Sequence, residues 1–103
     1  GLLDIKPILG LEPDGTVTSY ARVRGRENVL PRVMQFLEER VDPDAERLRF
    51  GIIHVGCPEI VEPVAEAIRA RYGDREIISA AATPVLATHI GPGAWGIAYQ
   101  RED

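Results

Sequence analysis

The feature that most constrains this chain is a change of hydrophobic period near residue 28. From Thr16 to Arg24 the sequence alternates with period two, Val17, Ser19, Ala21 and Val23 on one side and Thr18, Tyr20, Arg22 and Arg24 on the other, the pattern of a half-buried strand. From 28 to 41, Val29, Leu30, Val33, Met34, Leu37 and Val41 recur at helical spacing, with Asn28 in the position of an N-cap and Pro31 in the first turn, where a missing N–H costs little. A strand that hands over to an amphipathic helix leads to a layered α/β fold.

The rest of the chain repeats this alternation. Ile5 to Leu11 is an apolar, β-branched run, and Pro13-Asp14-Gly15 supplies a tight turn into the alternating segment, so a hairpin opens the fold. Leu48 to Val55 is a buried strand, nearly continuous in apolar character from Ile52. Gly56-Cys57-Pro58 opens a second helix that runs to about Tyr72 and is closed by Gly73. Pro63 either bends that helix or moves its start later. Ile77 to Ala82 is a strand, Thr83-Pro84 starts a short helical turn stopped by Gly91, and Ala94 to Gln100 is the last strand. The expected fold is α/β, with a mixed, mainly antiparallel sheet and two main helices packed on it, in one domain spanning 1–103.

Composition narrows the function. A net charge of -4 and a pI near 5.2 argue against a nucleic-acid or anionic-membrane binder, which normally carries a basic excess. No apolar run approaches the ~20 residues of an integral membrane segment. Cys57 is the single cysteine, so an internal disulfide is impossible, which fits a reducing cytoplasm.

The segment richest in chemical meaning is Thr88-His89-Ile90-Gly91-Pro92-Gly93-Ala94-Trp95-Gly96. Its glycines and proline exclude a continuous helix or central strand and force a turn with exposed main chain. A ligand can approach such a turn closely, with His89 and Thr88 as donors to a carboxylate. The bland alternative is a glycine-rich turn before an edge strand, with a surface histidine. A phosphate loop is a third reading, but the P-loop spacing and lysine are missing.

His54 and Cys57 bracket the entry to the second helix, where a thiol can become nucleophilic. They form a candidate Cys–His pair or half a metal site. Two histidines and one cysteine are too few for the usual three or four ligands, and packing of His54 at the strand end is the simpler account. Arg22, Arg24, Arg26 and Arg32 lie within eleven residues, either a solvated face or a contact for an acidic partner.

Five stretches in order resemble the C-terminal domain of the DegV family of fatty-acid-binding proteins: Lys6-Pro7-Ile8-Leu9, Asp14-Gly15, Arg22-Val23-Arg24-Gly25-Arg26, His54-Val55-Gly56 with Glu59, and Thr88-His89-Ile90-Gly91-Pro92-Gly93 with Gly96. The last is the most specific. The resemblance implies a long-chain fatty acid held between two domains, with its carboxylate bound by hydroxyls of an N-terminal domain outside this chain and by the histidine at His89. Thr88 and Arg24 are further candidates for the headgroup, and Gly91, Pro92 and Gly93 form the turn the ligand approaches. Ile90 stands where the family commonly has Thr. The resemblance further implies a binding protein that presents its ligand to a fatty acid kinase and is not itself an enzyme. It calls for no cofactor and no metal. An interaction domain docking a kinase or regulator through the arginine face is the alternative.

Overall fold

The computed structural model of the chain describes residues 5–11 and 17–102, with the main chain alone at 5, 11, 17, 86, 89, 90 and 102. The expected Pro13-Asp14-Gly15 turn lies outside the described residues. The elements are β1 (Ile5–Leu11), β2 (Val17–Arg24), α1 (Val29–Arg40), β3 (Arg47–His54), α2 (Val61–Tyr72), β4 (Glu76–Ala81), α3 (Pro84–Ile90) and β5 (Trp95–Glu102). Strands β1–β2 and β3–β5 pair antiparallel and β3–β4 pair parallel, which bears out the mixed, mainly antiparallel α/β class. The strands do not form one sheet: β1-β2 is a two-stranded sheet, and β4-β3-β5 a separate three-stranded one. The chain correspondingly divides into two units, Gly1–Val41 and Asp42–Asp103.

In the first unit, Ile8, Val23, Met34, Leu37 and Val41 are buried. The pairing shifts between Ile8↔Ala21 and Leu9↔Ser19, which makes Tyr20 the inserted residue of a β-bulge. An inserted residue breaks the two-residue parity of a strand, so Tyr20 does not belong to a common face with Arg22 and Arg24. Its ring instead stacks on Phe36 of α1, centroids 5.1 Å apart, with the Arg40 guanidinium 4.3 Å over it.

Both main helices are entered in the same way. A 3₁₀ turn precedes each, Arg26–Asn28 before α1 and Pro58–Ile60 before α2, and each carries proline at its third residue, Pro31 and Pro63. The third N–H of a helix is the usual partner of an N-cap side chain, and proline has none. Asn28 therefore does not cap forward, and its Nδ2 donates back to the Arg24 carbonyl at 2.9 Å. Pro63 moves the start of α2 to Val61 and lies in the first turn, where its missing N–H breaks no helical hydrogen bond.

In the second unit α2 buries Val64, Ala65, Ile68 and Tyr72 and packs on β3. Leu48, Phe50 and Ile52 are the buried positions of β3, alternating with exposed Arg49 and Ile53, so the strand is buried on one face and not on both as its apolar run suggests. Phe50 meets Tyr72 with ring centroids 5.1 Å apart.

Arg75 ties the end of α2 to the loop before β3. Its Nε donates to the Tyr72 carbonyl at 3.1 Å, Nη1 to that of Glu46 at 3.1 Å and Nη2 to that of Pro43 at 3.0 Å. Because the fork serves three acceptors at once, Arg75→Ala is expected to cost about 1–3 kcal/mol in urea unfolding. Arg75→Lys should recover little, since an ammonium cannot span the same set. A lysine variant as stable as the parent would contradict this role.

Candidate ligand site at the carboxyl end of the three-stranded sheet

Parallel strands end together, and the register His54↔Ala81 places the carboxyl ends of β3 and β4 side by side. In α/β sheets the crevice outside these ends is the usual place for a ligand. Four main-chain segments converge here: the corner 54–57, the entry to α2, the link from β4 into α3, and the turn 91–94.

Hydrogen bonds hold them together. The Ala82 N–H donates to the His54 carbonyl at 2.8 Å, the Gly93 N–H to the Val55 carbonyl at 2.9 Å, and the Val55 N–H to the Ala94 carbonyl at 2.8 Å. Gly91 closes α3 through its N–H on the Ala87 carbonyl at 2.8 Å. Gly91 and Gly93 have φ of 91° and 86°, a region costly for residues with a Cβ. A Cβ at either would meet nothing within 4 Å, so these glycines are required by backbone angle and not by crowding. The turn is thus open, as the sequence suggests.

The predicted side chains stand as follows. Thr88 is exposed, with its hydroxyl donating to the Pro84 carbonyl one helical turn back at 2.8 Å. His89 lies in α3, two residues before Gly91, and its side chain lies outside what is described. Arg24 is exposed at the end of β2 and belongs to the hairpin unit, taken by itself.

The Cys–His pair does not form. Nδ1 of His54 accepts the main-chain N–H of Cys57 at 3.1 Å, while the Cys57 thiol donates to the Ala94 carbonyl at 3.5 Å. Cys57 is 6% exposed and serves as a small packed residue. Its alkylation by iodoacetamide is therefore expected to be slow in the native protein and fast in urea; rapid native alkylation would contradict the burial. Among the described residues no group of three or more His, Cys, Asp or Glu is placed to hold a metal ion, and no helix is long and apolar enough to cross a membrane.

Sequence reasoning missed Val55. Both of its main-chain groups clamp the 91–94 turn, and a main-chain contact between segments so far apart leaves no side-chain signature.

The fold is that of an α/β domain with its candidate site at this edge, and comparison with known proteins gives its family. The model of the DegV family, described as uncharacterised proteins, matches residues 1–102. A DegV domain-containing protein of Clostridium acetobutylicum is 35% identical over 104 residues, covering 98% of this chain and 34% of the relative. Protein DegV of Bacillus subtilis is 29% identical, over 95% of this chain and 34% of its own. Among solved structures, a Thermotoga maritima protein described as revealing a fatty acid binding function aligns with TM-score 0.84 and 25% identity, over 96% of this chain and 35% of that one. A fatty acid binding DegV family protein of Streptococcus agalactiae aligns with TM-score 0.80 and 26% identity, over 97% and 35%. This chain belongs to the DegV family. It spans about a third of the length of the relatives it matches.

Proposed function

We propose that this chain forms one wall of a fatty-acid site, with the ligand's carboxylate at the carboxyl end of β3 and β4. His89 donates to the carboxylate, and the open Gly91-Pro92-Gly93 turn leaves room for its close approach, the N–H groups of Gly91 and Gly93 being already engaged. Thr88 joins by rotating its hydroxyl away from Pro84. The exposed Arg24 of the hairpin unit is proposed independently as an anion-binding side chain. The remaining wall and hydroxyl ligands come from the N-terminal domain of a complete DegV protein, which binds long-chain fatty acid in the cytoplasm and presents it to a fatty acid kinase without catalysing the transfer.

The observation that carries this reading is the turn itself: two positive-φ glycines with open space around them, bonded to the carboxyl end of the central strand. The fatty acid binding described for the Thermotoga maritima and Streptococcus agalactiae neighbours supports it. A test is a hybrid in which this chain replaces the corresponding third of the Thermotoga maritima protein. Native mass spectrometry of the purified hybrid is expected to show a co-purifying long-chain fatty acid, and a folded hybrid that never carries or takes up one would overturn the reading.

A second reading, docking of a kinase or regulator, is favoured by the exposure of Arg22, Arg24 and Arg26. Charge reversal at Arg22 and Arg26 should then abolish partner binding while fatty-acid retention stays unchanged.

A further inference from the structure

We propose that His54 is the positioning residue of this site, held with its hydrogen on Nε2, and that it acts through the main chain of the 54–57 corner. The inference rests on the fatty-acid reading above for its ligand and on geometry alone for its mechanism. Nδ1 accepts the Cys57 N–H, which requires the neutral ring with its hydrogen on Nε2. Cys57 precedes the 3₁₀ turn Pro58–Ile60, so its N–H has no partner within the helix that follows. The imidazole is what satisfies it.

The corner this bond closes includes Gly56 at φ 65° and is fastened on three sides. The His54 carbonyl receives the Ala82 N–H from the end of β4, and Val55 exchanges two hydrogen bonds with Gly93 and Ala94. The Ala94 carbonyl receives a second donor, the Cys57 thiol. Turning the imidazole away would release Cys57, and with it the peptide planes on which the 91–94 turn hangs. That turn follows α3 directly and so sets where His89 stands. His54 therefore orients a ligand-binding segment 37 residues away, counted from Cys57 to Ala94, without touching the ligand.

Two substitutions separate this role from direct contact. Asn places an amide oxygen where Nδ1 sits, whereas Gln carries its amide out to the place of Nε2. In the 103-residue chain, His54→Asn is expected to keep amide exchange at Val55, Cys57 and Gly93 within about threefold of the parent. His54→Gln should speed it about tenfold or more while the Ile52 amide, in the core of β3, is unchanged. In the hybrid, His54→Asn should retain fatty acid and His54→Gln should lose about tenfold in affinity. The ¹⁵N signals of the parent ring should show the hydrogen on Nε2. Retention by Gln with loss by Asn would mean that the imidazole contacts the ligand itself, and overturn the proposal. Parent-like exchange in both variants would also overturn it. If the exchange pattern holds and the unmutated hybrid binds no fatty acid, the positioning role stands and the fatty-acid reading fails.

Discussion

Truncating Ile68 to alanine is expected to destabilise the second unit by about 2–5 kcal/mol. Ile68 is 0% exposed and lies on α2, on the same stripe as Val64 at 1%. It packs in the layer that α2 forms with β3, whose Ile52 is also 0% exposed. Close packing around Ile68 leaves little slack, so the void left by three carbons is only partly refilled by its neighbours. A loss of this size is a large fraction of the ~5–15 kcal/mol typical of a domain. Urea unfolding should show the midpoint falling sharply, while the exposed Ala70 of the same helix tolerates serine within about 0.5–1 kcal/mol. A cost below about 1 kcal/mol for Ile68→Ala would contradict the packing of α2 on β3.

Replacing His89 by alanine in the hybrid is expected to weaken fatty-acid retention about ten- to a hundredfold, the equivalent of one hydrogen bond to a charged group, roughly 1.5–3 kcal/mol. The effect should be specific to the acid. A methyl ester presents no carboxylate and should bind the parent and the variant about equally. If His89 were a packed structural residue, the variant would melt earlier and lose acid and ester in parallel. Unchanged acid affinity in a well-folded variant would remove His89 from the site.

Much of this architecture was legible in the residues, for identifiable reasons. The change from period two to helical period marks β2 and α1, because a face that must be buried imposes its own spacing. The Gly91-Pro92-Gly93 turn was legible because positive φ selects glycine. What escaped was set by contacts remote in sequence. The bulge at Tyr20 depends on pairing with Ile8 and Leu9 and not on the alternation around it. The exposure of Ile53 follows from its place opposite the buried Leu48, Phe50 and Ile52 of β3, and an isoleucine reads the same on either face. The division of five strands into two sheets has no local signature at all. At the site, the turn was visible, but Val55 and the acceptor role of His54 Nδ1 were not, since both act through main-chain N–H and C=O groups common to every residue.

In the proposed function this chain supplies one wall of a fatty-acid site and the histidine that meets the carboxylate. Burial of an acyl tail is worth up to ~0.8 kcal/mol per methylene, so affinity should depend on how many walls surround the tail. Calorimetric titration of a long-chain fatty acid into the 103-residue chain alone and into the hybrid measures that dependence. Weak or undetectable binding is expected of the isolated chain and tight binding of the hybrid. Submicromolar binding by the isolated chain, or none by a folded hybrid, would contradict it.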